Sequence, residues 1–310
     1  MIENGINLER QFSSSCMAHL PAKEGDWKVT EKDEKERRDL RSRLVMSIDP
    51  PGCEDIDDAL SLYELPERWR GRKALEIGVH IADVTHFVPH DSLLDREARE
   101  RGTTVYLADR RMDMLPFILS GQLCSLREQQ DRFAMSVLWT LDAETFEVLE
   151  VWYGKSIIFS SHEFSYQTAH AILNDALPEK ERSKLAEKTN REGEYETVRR
   201  TLNQMMVIAR QYRKARELKG ALELHSTEVK FEMTEQKNPS AIKTKQSLEV
   251  MKMVEEFMIL ANQSVAERIF RAFPTASLLR RHPIPREADF QSLLKAASSM
   301  GFAMNVESNK

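Results

Sequence analysis

The apolar positions of this chain change period along its length, and that change limits the fold more than any other feature. Between Leu44 and Phe159 they come in short alternating or β-branched runs: LVMSID (44–49), ALSLYEL (59–65), ALEIGVHIADVTHFV (74–88), FAMSVLWTLD (133–142) and VLEVWYGKSIIF (148–159). Such runs read as strands, the last two as an antiparallel pair. After residue 194 the spacing becomes helical. Val198, Leu202, Met205, Met206 and Ala209 share a face of a helix over 194–219, closed by Gly220. Val250, Met253, Val254, Phe257, Leu260, Ala261, Val265 and Ile269 mark a second helix over 247–272, ended by Pro274. A third is expected over 287–300, and a short one at 92–102 stops at Gly102. Strands first and helices later, without β–α–β alternation, predict an α+β domain with several packed helices. Residues 1–36 are polar, with SSS at 13–15 and the mixed-charge run EKDEKERR at 31–38. They show no core periodicity and read as a linker or the remnant of a preceding module.

No uninterrupted apolar run approaches the ~20 residues of a membrane span, and MIENGINLER lacks the positive-then-apolar pattern of a leader. Cys16, Cys53 and Cys124 are scattered without metal-ligand spacing, which predicts reduced thiols.

The stretch that carries chemistry is Ser47-Ile48-Asp49-Pro50-Pro51-Gly52-Cys53-Glu54-Asp55-Ile56-Asp57-Asp58-Ala59. Four aspartates and one glutamate fall within the ten positions 49–58. Pro-Pro-Gly makes its first half a rigid turn. Carboxylates crowded this closely repel one another and take up protons unless a cation neutralises them. Oxygen-only ligands suit hard cations, Mg2+ or Mn2+, which commonly serve phosphoryl chemistry. A solvated acidic loop is the competing interpretation, but this loop lies between two apolar strands. A calcium EF-hand does not fit. Counted from Asp49, the third and fifth positions are Pro51 and Cys53, and no glutamate stands twelfth.

IDPPGCEDIDDALS closely resembles the signature of the ribonuclease II (RNB) family. The likeness continues through GVHIADVTHFV (78–88), LDREARERGTTVYLADRRMDMLP (94–116), LCSLR (123–127), FSYQTAH (164–170), GALEL (220–224), VEEFMILANQSVAERI (254–269) and LLRRHPIP (278–285). These blocks stand in the family's order and cover roughly residues 37–310. They resemble the eukaryotic exosome-type branch. WYGKSII, GALEL and QSLEV incline toward the cytoplasmic, exosome-associated paralogue of the exosome's catalytic subunit.

The resemblance implies an RNB-type catalytic domain with a mixed or antiparallel sheet. It implies Mg2+-dependent hydrolytic 3′-to-5′ degradation of single-stranded RNA with release of nucleoside 5′-monophosphates, Mn2+ being an alternative cofactor. The exosome core is the implied partner and the cytoplasm the implied location, with the nucleus an alternative. Carried over residue by residue, Asp49, Asp55 and Asp58 match metal-binding positions, and Asp57 matches a catalytic aspartate. Tyr166 matches an aromatic that stacks on a base. Glu256, with Glu255 as the alternative, matches a carboxylate near the terminal ribose. Phe87 occupies a clamp position that is tyrosine in bacterial members. Plain core packing is the competing role for Phe87 and Tyr166. Arg281, in the cluster Arg280, Arg281 and His282, is a candidate RNA contact. Two more basic clusters, Arg37/Arg38/Arg41/Arg43 and Arg110/Arg111, interrupt a chain of formal net charge −5. Either they line an RNA path or they are solvated surface charge.

No segment like the family's later S-P-I-R-R-Y arginine motif follows LLRRHPIP before Lys310. From sequence, the expectation is therefore a C-terminally incomplete catalytic domain with poor activity. The alternative is an inactive product that binds RNA or exosome components. An unrelated metal-dependent phosphohydrolase is disfavoured by the ordered blocks outside the acidic segment.

Overall fold

The computed structural model describes residues 11–107, 110–189, 193–221, 229–233, 239–244, 247–281 and 286–306. Residues 1–10, 222–224 of GALEL, and His282 of the last basic cluster lie outside the described residues.

Two short helices, α1 (Ser14–Met17) and α2 (Glu31–Glu36), lead into β1 (Arg38–Asp39). Next come β2 (Val45–Asp49), β3 (Asp58–Glu64), β4 (Ala74–Ala82), helix α3 (Leu93–Arg101), and a small hairpin of β5 (Val105–Tyr106) and β6 (Arg111–Met112). The long strands β7 (Asp131–Asp142) and β8 (Val148–Ser165) follow, then helices α4 (Tyr166–Leu173), α5 (Glu179–Thr189) and α6 (Glu194–Leu218). A second hairpin of β9 (Val229–Met233) and β10 (Pro239–Thr244) precedes helices α7 (Glu249–Ala272) and α8 (Phe290–Ser299).

The main sheet has the order β1-β8-β2-β3-β4-β7, and β7 also pairs with β8, so five of its strands close into a ring. The length of β8 makes closure possible. Its residues up to Phe159 pair antiparallel with β7, and those from Ser160 to Ser165 pair parallel with β2. The sequence ended this strand at Phe159, because SSHEFS has the polar composition of a loop. In the structure Ser160 and His162 are fully buried, which their composition does not announce.

The two faces of the ring follow the strand period of two. Inside lie Val45, Ala59, Ala134, Leu138 and Ile158, joined by Ile56 and Leu126. His80 is also inside, between the hydroxyls of Ser61 at 2.8 Å and Ser136 at 2.7 Å. Burial pushes its pKa down to about 3, so the ring stays neutral. Outside, Met46, Ile48, Leu60, Leu62, Ile77, Val79 and Trp139 form one core with Ile172, Leu202, Met205, Val250, Met253 and Phe257 of α4, α6 and α7. Each such side chain contributes about 1.5–3 kcal/mol when fully buried. The indole N–H of Trp139 donates to the Ser264 hydroxyl at 3.0 Å and ties α7 to the sheet.

Within the segment 1–36, expected to be a linker or the remnant of a preceding module, the described residues pack against this domain from Phe12 onward. Phe12, Leu20 and Trp27 cover a small cluster of Leu94, Leu119, Leu123 and Cys124. Trp27 meets Phe133 edge-on at 5.0 Å, and Glu24 pairs with Arg132. Single side chains from coil and one-turn helices make these contacts, so no period marks them in the sequence. Among the described residues no helix is long and apolar enough to cross a membrane.

Candidate active site

β2 delivers Asp49 to one end of the ring, and β3 starts again at Asp58. Between them Pro50, Pro51 and Gly52 reverse the chain. Gly52 has φ +76°, a left-handed conformation that favours glycine, and the Cys53 N–H closes the turn on the Pro50 carbonyl at 3.1 Å. The second half of the loop is pinned. Ile56 is fully buried, its N–H donates to the Ser125 hydroxyl at 3.0 Å, and that hydroxyl donates to the Glu54 carbonyl at 2.9 Å. Leu126 N–H donates to the Ile56 carbonyl, and Ala82 N–H to the Asp57 carbonyl. The LCSLR segment thus clamps the loop from below.

The clamp holds carboxylates together against their repulsion. Burial first, then the charge of Asp58, pushes Asp49 up to about 7 against an opposing pull from the nearby Ser47 hydroxyl, with Glu163 and Asp57 adding to the rise. Burial and Asp57 push Asp58 up to about 6. Asp57 is raised by burial and by Asp55. One oxygen of Asp49, Oδ2, is buried with no hydrogen-bond partner. Cys53 is driven up to about 12 by burial and by Asp49 and Asp55, so in the metal-free protein it stays a thiol.

Asp55 is held differently. It accepts the Tyr106 hydroxyl at 2.5 Å on Oδ2 and the Arg111 guanidinium at 3.2 Å on Oδ1. Arg111 also pairs with Asp113 at 2.6 Å and approaches Glu54 at 3.6 Å. Its side chain is only 16% exposed, so it is a counter-ion inside an acidic site rather than solvated surface charge. Among the described residues no three carboxylate, imidazole or thiol side chains already enclose an ion position. The donor set nevertheless fits a hard divalent cation. Asp49 offers an orphaned buried oxygen, Asp58 and Asp57 stand within its field, and the Asp55 carboxyl keeps acceptor capacity beside its bonds from Tyr106, Arg111 and the Cys53 thiol.

Tyr166 opens α4 directly after Ser165, which pairs with Asp49. Burial and the charges of Asp49 and Asp58 push its hydroxyl up to about 12, which puts it at this site. Phe87 packs edge-on to Trp27 at 5.6 Å within the small cluster. Glu256 is buried and bound by Arg216 at 3.0–3.3 Å, while Glu255 is exposed. Arg281 is exposed next to the undescribed 282–285. The Arg37–Arg43 cluster is consumed internally. Arg37 pairs with Asp83, Arg38 and Arg43 share Glu76, and Arg41 binds Glu34, Asp39 and Asp131. Glu163 and Tyr106 went unassigned from sequence, and Arg111 was read only as half of the basic cluster Arg110/Arg111. The last two lie in VYLADRRMDMLP, where a short hairpin pattern was the available signal. Glu163 reaches the site only through strand register.

The family model for the RNB domain matches residues 37–310. The chain belongs to the RNB family. It is 42% identical over 301 residues to the probable exosome complex exonuclease RRP44 of Caenorhabditis elegans, spanning 96% of this chain and 29% of that protein. To the DIS3-like exonuclease 2 of Schizosaccharomyces pombe it is 38% identical over 309 residues, spanning 100% and 32%. This RNB chain thus covers under a third of the length of those relatives. Among solved structures, Mycoplasma genitalium RNase R in complex with ribose-methylated single-stranded RNA matches with a TM-score of 0.81 at 23% identity, over 99% of this chain and 45% of that one. Yeast Ssd1, a pseudonuclease, matches with a TM-score of 0.67 at 22% identity, over 91% and 32%. At those identities the structural likeness establishes the fold.

Proposed function

We propose that this RNB chain carries the acidic, metal-binding side of a hydrolytic 3′-to-5′ exoribonuclease site acting on single-stranded RNA, with Mg2+ or Mn2+ and nucleoside 5′-monophosphate products. The observation that carries this is the orphaned Oδ2 of Asp49 among carboxylates whose pKa values burial and mutual repulsion have raised. Asp49, Asp58 and Asp55 would hold the cation, which when bound supplies charge neutralisation and an activated water for phosphodiester attack. Asp57, held by its carbonyl to Ala82, orients its carboxylate beside Asp55 and accepts a proton from the attacking water. Tyr166 stacks on a base beside the acidic pair, a contact indifferent to sequence. The exonuclease names of the relatives, and the RNA bound by the similar bacterial structure, support the same reading. The exosome core is the proposed partner, in line with the relatives' names, and the cytoplasm is proposed as the location on the sequence resemblance alone.

A second reading is RNA binding without hydrolysis. The Arg111 guanidinium on Asp55 favours it, because a resident cation already offsets part of the carboxylate charge. The deciding experiment incubates a 5′-labelled single-stranded RNA with the protein and Mg2+ or Mn2+. Shortening from the 3′ end that is lost in Asp57→Asn establishes the exonuclease. Retained RNA with no shortening establishes the second reading.

A further inference from the structure

A cleft of about 410 Å³ opens at the end of the strand ring opposite the acidic loop. There β3 leaves at Glu64, β4 enters at Ala74, β7 ends at Asp142 and β8 begins at Val148. Asp58 and Glu64 are the two ends of one seven-residue strand. Six rises of ~3.3 Å separate them by about 20 Å, so the cleft is not an extension of the acidic site. The mouths of β-barrels commonly hold ligand sites, and the volume falls within the ~300–1,000 Å³ usual for them.

Its lining holds two tryptophans and one more acidic than basic side chain. Trp152 lies flat across Gly154, where a Cβ would come within 2.6 Å of the indole. The Arg38 guanidinium stands over the same ring, 5.0 Å from its centroid. Together they form a delocalised platform, and Trp69 supplies a second aromatic wall. Glu76 binds Arg38 and Arg43, each at 3.0 Å. Glu67, Arg68 and Glu150 are exposed at the rim. Two lining arginines, Arg38 and Arg68, thus meet three glutamates, Glu67, Glu76 and Glu150, and the cleft carries no positive charge to attract a polyanion. What it offers is stacking surface, carboxylates that accept from N–H groups, and a guanidinium that donates to a carbonyl. That combination fits a flat, uncharged heterocycle with two adjacent donors beside an acceptor, which is the pairing edge of guanine. Stacking on aromatic rings and guanidinium planes, with hydrogen bonds to the base edge, is how unstacked bases are recognised.

We propose that the cleft lined by Trp69 and Trp152, with Glu67, Arg68 and Glu150 at its rim, binds a guanine base. The base comes either from a free nucleoside or from a single-stranded RNA. This site is independent of the nuclease reading, since no residue of the acidic loop lines it.

The test is equilibrium dialysis in EDTA with labelled guanosine, adenosine and uridine, and with two short single-stranded RNAs, one containing a guanine and one all uridine. Guanosine is expected to bind at least tenfold more tightly than uridine. Trp69→Ala in the cleft wall and Glu150→Gln at its exposed rim, both checked for an unchanged thermal midpoint, are each expected to weaken it about tenfold. Variant-sensitive binding of the guanine-containing RNA makes an RNA base the ligand. Variant-sensitive binding of guanosine alone makes it a free nucleoside. No binding of either, equal binding of all three nucleosides, or binding that both variants leave intact would overturn the proposal.

Discussion

Glu163 stands one strand away from Asp49, on the same face of the ring. The parallel register of β2 and β8 sets Ser47 opposite Glu163 and Asp49 opposite Ser165. Glu163 is anchored there by its N–H, which donates to Glu128 at 3.1 Å, while Lys188 of α5 binds the other oxygen of Glu128 at 2.5 Å. A charge far away in the chain thus adds to the repulsion that Asp57 and Asp58 exert on Asp49. Three elements hold it in place, and the site tolerates a fifth negative group only if something cationic or a proton offsets it.

In the metal-free protein that offset is a proton, and it has a pH signature. The pKa of Asp49 is raised in the fold from 3.8 to about 7. The folded state therefore binds this proton more tightly than the unfolded state. The stability it contributes is complete below about pH 4 and is lost as pH rises through about 7. Three pKa units correspond to up to about 4 kcal/mol. Asp49→Asn cannot ionise, so in EDTA its stability should gain on the wild type between about pH 4 and pH 8. Urea midpoints across that range measure the difference. Parallel curves would show that neither burial nor repulsion acts on Asp49.

Ser125 should be worth more to the loop than a surface serine. Its hydroxyl is buried and satisfies both the Ile56 N–H and the Glu54 carbonyl. Ser125→Ala leaves both unpaired and should cost about 1–3 kcal/mol. Ile56→Ala, which empties a fully buried site, should cost about 2–5 kcal/mol. Denaturant unfolding reads both values. A Ser125→Ala loss under half a kilocalorie would mean the loop holds itself.

Arg111 should compete with a bound cation. It faces Glu54, Asp55 and Asp113 at once. Arg111→Met removes that positive charge and leaves the carboxylates in need of another. The expected result is lower stability in EDTA together with tighter Mn2+ binding by calorimetry, while Tyr106→Phe, which removes only a neutral donor from Asp55, should change Mn2+ affinity less. Weaker Mn2+ binding in Arg111→Met would make Arg111 a group that positions Asp55 rather than a competitor.

How much of this could be read beforehand depended on whether a residue's partner was local. The strands β2, β3, β4 and β7 and the helices α6 and α7 were legible because their apolar period matches the face they bury. The loop Asp49–Asp58 was legible because its carboxylate density is itself abnormal. The end of β8 was not. Its buried histidine finds its partner far along the chain, in the 2.8 Å pair of His162 with Glu194, so the segment's polarity imitates a loop. The Arg37–Arg43 cluster misled for the same reason. Sequence displays the positive charges, but only the fold shows Asp83 and Glu76 consuming them. Tyr106 and Arg111 required a two-residue hairpin to fold onto a loop some fifty positions earlier, a contact no periodicity encodes.

Asp57 and Tyr166 should separate turnover from binding. Both sit at the acidic end of the ring, but they face different tasks. Asp57 is raised by burial and by Asp55, and its backbone is fixed by Ala82, so its carboxylate belongs to the charged cluster. Asp57→Asn keeps the shape and removes one negative charge. It should abolish hydrolysis of single-stranded RNA and leave affinity the same or slightly higher, since less charge opposes phosphate. Tyr166 is half-buried, with its hydroxyl in the field of Asp49 and Asp58 and its ring against the large core. Tyr166→Ala should weaken RNA binding by about 1–3 kcal/mol, the usual value of a base stack, with a smaller effect on the bound-state rate. Filter binding in EDTA and single-turnover cleavage with Mg2+ or Mn2+ measure the two quantities separately. Tyr166→Phe keeps the ring and should restore binding, which distinguishes stacking from a role of the hydroxyl. If Asp57→Asn lost affinity and kept its rate, or if Tyr166→Phe bound as poorly as Tyr166→Ala, these assignments would have to be exchanged or withdrawn.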